Sequence, residues 1–107
     1  MFKVYLLPEF RRKAKKLFSN KELLELENII LNELITKGHK VGKPLSFPFI
    51  REKKLSGKRI YYLVYKDIAI ILLVDVSNKK DQKETIKQIK KRLDKYKDYI
   101  YSLIKKD

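Results

Sequence analysis

Residues 68–76 read IAIILLVDV, an aliphatic run in which Asp75 is the one charge. A strand sends successive side chains to opposite faces, so a run apolar at both parities describes a central strand, with helices over one face and other structure over the second. The preceding run at 58–65, KRIYYLVY, alternates instead. Arg59, Tyr61, Leu63 and Tyr65 share one face and Ile60, Tyr62 and Val64 the other, so one face reads as core and the other as free for function. Lys66-Asp67 supplies a two-residue turn between these runs, and Ser56-Gly57 joins 58–65 to a further run at 51–55. Three strands in an antiparallel meander are predicted.

The N-terminal residues 2–7, FKVYLL, are rich in β-formers, and Pro8 stops them while suiting the first turn of a helix. Phe10, Ala14, Leu17 and Phe18 then recur at helical spacing among basic residues. Ser19 followed three residues later by Glu22 is a capping-box pattern and starts a second helix at about Asn20. Its stripe is Leu23, Leu26, Ile30 and Leu34, and Gly38 sits where a left-handed C-terminal residue is expected. Residues 38–50, with two glycines and two prolines, read as a long loop. Asp81, with Glu84 three residues on, reads as the N-cap of a long C-terminal helix striped by Ile86, Ile89, Leu93, Tyr96, Ile100 and Leu103. The expectation is one α+β domain, residues 1–107, in the order β-α-α-β-β-β-α, with the helical hairpin on one sheet face and the other face left basic.

Charge narrows the partners. The chain has 27 Lys and Arg against 13 Asp and Glu, a net of +14, which concentrates polyanions at its surface and makes nucleic acid the first candidate. The charge is uneven. Residues 20–36 hold Lys21 against Glu22, Glu25, Glu27 and Glu33, whereas 37–59 hold eight cations against Glu52 alone, so the middle of the chain is the expected binding surface and the acidic segment faces away. Absence of cysteine removes disulfides, zinc-thiolate sites and thiol nucleophiles, and a lone His39, read as an exposed loop residue, builds no metal site. The N-terminal apolar stretch is too short for a signal peptide or a membrane span, and the expected location is the cytoplasm.

The stretch REKKLSGKRIYYLVY, the apolar strand after it and the VSNKKDQ that follows resemble the core of the RelE/ParE superfamily of toxins from type II toxin-antitoxin systems. VSNKKDQ is also similar to the HigB-like branch. The most specific piece is Arg59-Ile60-Tyr61-Tyr62, which matches the family's arginine, aliphatic, any residue, tyrosine pattern after a turn. The resemblance implies a ribosome-dependent endoribonuclease that cuts messenger RNA without metal or cofactor and is silenced by an acidic, RelB-like antitoxin. It assigns catalysis to Arg59, to Lys53 and Lys54 on the preceding strand, and to Lys79 and Lys80 after the last strand. Where the family often places an aromatic acid or base, this chain has Thr85.

Those residue types suit the reaction. Attack of an RNA 2′-hydroxyl on its phosphate builds negative charge on the phosphoryl and leaving 5′ oxygens, which preorganised cations stabilise. The planar fork of Arg59 fits a phosphate, Lys54 or Lys53 assists the 2′-hydroxyl, and Lys79 or Lys80 neutralises the leaving group. Charge and parity add Arg51, Lys58, Tyr61, Lys83, Lys87 and Lys90 as RNA-binding candidates, Tyr61 because it shares a face with Arg59 and can stack a base. Two other functions fit the same residues: a ParE-like poison of gyrase, which needs no catalytic cluster, and a non-catalytic nucleic-acid-binding module.

Overall fold

A computed structural model describes residues 1–105. The chain runs β1 (Lys3–Leu6), α1 (Pro8–Leu17), α2 (Asn20–Ile29), a π-helical turn (Ile30–Leu34), α3 (Ile35–Lys37), β2 (Lys43–Pro44), β3 (Ile50–Leu55), β4 (Lys58–Tyr65), β5 (Ile70–Asn78), α4 (Gln82–Lys91) and α5 (Leu93–Lys105). One five-stranded sheet has the order β1-β5-β4-β3-β2. The predicted meander is β3-β4-β5, antiparallel throughout, and β1 joins it parallel to β5. The α+β order read from the periodicities is therefore present, with β2 as a short edge strand inside the expected loop. Among the described residues no helix is long and apolar enough to cross a membrane.

The third meander strand starts two residues later than its sequence suggests. Lys66–Ile68 forms a 3-10 turn and Ala69 adopts φ 53°, so the connection absorbs Ile68 and Ala69 in place of a two-residue turn. From Ile70 to Ser77 the strand is continuously buried, as a central strand must be when both sheet faces are covered.

The helical hairpin lies on the face that carries Lys58, Ile60, Tyr62 and Val64. Its geometry is set locally. Ser19 Oγ accepts from Glu22 N at 3.2 Å and Glu22 Oε1 accepts from Ser19 N at 2.9 Å, which completes the capping box. Gly38 is not left-handed; its φ is −55°. Its lack of a side chain answers a close approach, since a Cβ there would sit 2.0 Å from Ile71 Cδ1 and 2.6 Å from the Leu34 carbonyl. On the same face Tyr62 extends its hydroxyl to within 2.9 Å of the Gly38 carbonyl and 2.7 Å of the Val41 carbonyl, pinning the chain that leaves the hairpin.

The second face is not an open basic surface. The C-terminal helices cover it: Gln82, the first residue of α4, hydrogen-bonds Glu52 of β3, and Tyr96 of α5 is buried, its phenol pushed up by desolvation and then by Asp75. The apolar stripe predicted for this region is used, with Ile89, Tyr96 and Ile100 buried and Ile86, Leu93 and Leu103 packed around them. The helical stretch bends at Arg92, where φ −107° and ψ 12° interrupt α4 before α5 begins. Its start also differs from the expected cap, because Asn78 Oδ1 accepts from Asp81 N at 3.1 Å while Asp81 makes no cap of its own.

Tyr62→Phe removes the hydroxyl shared by two backbone carbonyls while keeping the ring. Loss of that bond should destabilise the fold by about 1–2 kcal/mol, read as a lower urea midpoint at an unchanged slope.

Candidate functional site

The pairing register brings two polar rows together on the sheet face opposite the hairpin. Lys54 lies opposite Arg59, which lies opposite Ser77; Glu52 lies opposite Tyr61, which lies opposite Asp75. This depends on a bulge. Tyr61 pairs with Asp75 but Tyr62 pairs with Leu73, so Val74 is the extra residue on β5. One inserted residue reverses strand parity, which moves Asp75 and Ser77 to the face of Arg59 and returns Val76 to the hairpin side.

Arg59 is buried, with 6% of its surface exposed, yet faces away from the hairpin core as its parity predicts. Its Nε lies 3.4 Å from Glu52 Oε1, a contact of opposite charges without an aligned hydrogen bond. Nη1 donates to the Gly57 carbonyl at 3.1 Å and to that of Lys58 at 3.4 Å. Gln82 Nε2 donates to the same Glu52 oxygen at 2.5 Å. Among the described residues Nη2 has no hydrogen-bond partner, so the held guanidinium keeps one nitrogen free to donate. Lys54 is exposed beside it in register, and Lys79 and Lys80 are exposed on the 3-10 turn Lys79–Asp81 that follows β5. A fixed fork with exposed ammonium groups on neighbouring segments can stabilise charge growing on an oxyanion.

Several expected contributors lie elsewhere. Tyr61 is fully buried, its hydroxyl is 2.9 Å from Ser77 Oγ, and burial pushes its phenol up to about 12; it has no open face on which a base could stack. Lys53 has the opposite parity from Lys54 and pairs with Glu33 at 3.2 Å. Arg51 is spent on loop structure, donating from Nε to the Val41 carbonyl at 2.8 Å and from Nη2 to that of Gly42 at 3.2 Å. Lys58 binds Glu22 at 2.7 Å over the Phe18 ring, and this hydrogen bond is the main reason the Glu22 carboxyl is held below its usual range. Lys83, Lys87 and Lys90 are exposed on α4, whereas Thr85 of the same helix is buried.

His39 is half-buried rather than exposed. Its ring is 5.4 Å from that of Phe2 and its enclosed Nδ1 has no partner, while burial, then Lys66, Lys40 and Arg51, lower its pKa. The residues sequence reasoning missed are Glu52 and Gln82. Glu52 did carry a signal, being the one acid in the basic stretch 37–59. Among the described residues no cluster of His, Asp or Glu is arranged to hold a metal ion.

No family model and no curated protein sequence matches the chain. Solved structures do. An Escherichia coli RelE toxin with two arginines replaced by alanine, in the free state, superimposes at a TM-score of 0.66 and 17% identity over 82% of this chain and 97% of that one. The isolated Escherichia coli RelE toxin gives 0.62 at 17% identity over 83% and 99%. A chain of the toxin-antitoxin complex RelBE2 from Mycobacterium tuberculosis gives 0.64 at 18% identity over 73% and 98%. The chain therefore has the fold of the RelE toxins.

Proposed function

We propose that the protein is the toxin of a type II toxin-antitoxin system, an endoribonuclease that cuts messenger RNA on the ribosome in the cytoplasm and is held silent by an acidic partner. The observation that carries this reading is Arg59, clamped by Glu52 and two carbonyls with Nη2 left over, in register with exposed Lys54 and paired with Ser77, two residues before the exposed turn that begins at Lys79 and Lys80. RelE toxins in solved structures occur in complexes with antitoxins, and the fold is shared.

In this reading the 2′-oxygen of one nucleotide attacks its own 3′-phosphate, a 2′-O–P bond forms, and the bond to the leaving 5′-oxygen breaks. Arg59 Nη2 donates to a non-bridging phosphoryl oxygen as charge builds there, Lys54 assists the 2′-hydroxyl, and Lys79 or Lys80 neutralises the departing 5′-oxygen. The ribosome positions the message, so the protein contributes electrostatics more than substrate geometry. Lys83, Lys87 and Lys90, exposed along α4, serve docking on ribosomal RNA. No metal or cofactor enters the proposed steps.

The test is cleavage of a defined message in a purified translation reaction. Lys54→Ala, a change at an exposed position, should reduce the cleavage rate on the order of a hundredfold with ribosome co-sedimentation retained. A plain Arg59→Ala is a poor probe, because it leaves Glu52 buried without its cation, a loss of about 3–5 kcal/mol. Arg59→Gln combined with Glu52→Gln removes both charges together, and it should fold, bind ribosomes and fail to cut. Lys90→Ala should only weaken docking, with the salt slope reduced by about one.

A net charge of +14 predicts that the silencing partner associates through opposite charge. Its affinity, measured by titration calorimetry on the natively purified complex, should fall as salt rises. A complex whose affinity is indifferent to salt, or native purification with no acidic partner, contradicts the toxin assignment.

A further inference from the structure

A second concentration of charge lies outside the Arg59 row, in a cleft of about 490 Å³ between α1 and the bend that joins α4 to α5. Arg12, Lys13 and Lys16 line one wall and Arg92 and Lys95 the other, and Glu9 is the one anion in the lining. Of these, Lys13 pairs through Nζ with the buried carboxylate of Asp75 at 2.5 Å, which fixes one ammonium in place. Among the described residues the other four cations have no carboxylate within ion-pair distance. Like charges gathered from two separate elements repel one another, and an anionic ligand removes that repulsion.

We propose that this cleft is a binding site for the phosphate backbone of single-stranded RNA. Every lining residue is charged, with no aliphatic or aromatic side chain among them. Protein partners are anchored chiefly by apolar and aromatic side chains in pockets, and this cleft offers none; a phosphodiester chain is held by cations alone. Arg12 and Lys16 are one helical turn apart on α1, and Arg92 and Lys95 are nearly so on the facing wall, so cations repeat along both sides of the groove. The assignment rests on RNA being the target, as in the nuclease reading.

The experiment is fluorescence anisotropy with a labelled single-stranded RNA of about 12 nucleotides, a length within the footprint of small single-strand binders. Two variants lose the same charge. Arg12→Gln/Lys16→Gln/Arg92→Gln empties the cleft of three cations, and Lys21→Gln/Lys40→Gln/Lys105→Gln removes three exposed lysines elsewhere. All six positions are exposed, and thermal melts confirm folding. The cleft variant should bind roughly tenfold or more weakly at low salt, and its log-affinity against log-salt slope should be shallower by about 2; the control should lose much less.

Equal losses in the two variants would make the effect a property of the overall field and overturn the site. So would a cleft variant that keeps RNA but loses a poly-glutamate peptide, which would give the cleft to an acidic protein segment. Cleft-dependent RNA binding in a parent protein that cuts no message removes the nuclease reading and leaves the site standing. Cleavage by the parent, with RNA binding indifferent to the cleft variant, removes the site alone.

Discussion

A guanidinium taken out of water needs a counter-charge, and the candidate site depends on how the chain meets that demand at Arg59. Glu52 supplies the charge from the neighbouring strand, the carbonyls of Gly57 and Lys58 hold Nη1, and Gln82 ties the same carboxylate to the start of α4. One buried pair thereby connects β3, β4, the turn between them and the helix that closes over their face. Removing either partner leaves an uncompensated charge inside the protein, so the pair is strongly held even if its net stabilisation is small. Its value to the site is fixed geometry: a donor that does not have to reorganise when charge appears in front of it.

The rest of the charge is arranged by subtraction. The acidic helical segment 20–36 packs against the basic meander instead of facing away from it, and Glu22 and Glu33 take up Lys58 and Lys53. Much of the positive density that the sequence concentrates at 37–59 is consequently answered within the fold, where Arg51 also serves loop carbonyls. Among the described residues the cations left without a carboxylate include Lys37, Lys40, Lys43, Lys54, the Lys79–Lys80 turn, the α4 row and four of the five in the cleft between α1 and the α4–α5 bend. A net charge summed along sequence windows cannot separate these cases, because pairing across the sheet is decided by register.

The element order was legible because its signals are local. A capping box, two helical stripes, the alternation of β4 and the unbroken apolar run of β5 each need only a few neighbouring residues. The facing of Arg59 was legible for the same reason. Harder to read was anything set by one residue acting at a distance. The extra Val74 reverses the parity of β5, so a period-two reading of that strand misplaces Asp75 and Ser77. Gly38 carries the residue type of a left-handed cap yet is required by the close approach of the Leu34 carbonyl and of Ile71. Tyr61 shares the face of Arg59 as expected but is roofed over, since nothing in an alternating strand tells which helices will cover it. Glu52 was overlooked because a lone acid among lysines reads as a solvated exception until its register opposite the buried row is known.

The most direct measurement is of the RNA ends made when the protein is added to a purified translation reaction programmed with one message. Attack by the 2′-hydroxyl, with the phosphorus retained by the attacking oxygen, leaves a 2′,3′-cyclic phosphate, or its hydrolysis product, on the upstream fragment and a 5′-hydroxyl on the downstream one. End mapping with and without a kinase treatment distinguishes a 5′-hydroxyl from a 5′-phosphate. A ribosome-dependent nuclease of this kind yields new ends within codons, carrying 5′-hydroxyls, only when ribosomes are present. Intact message, or fragments with 5′-phosphates made equally well without ribosomes, would contradict the nuclease reading.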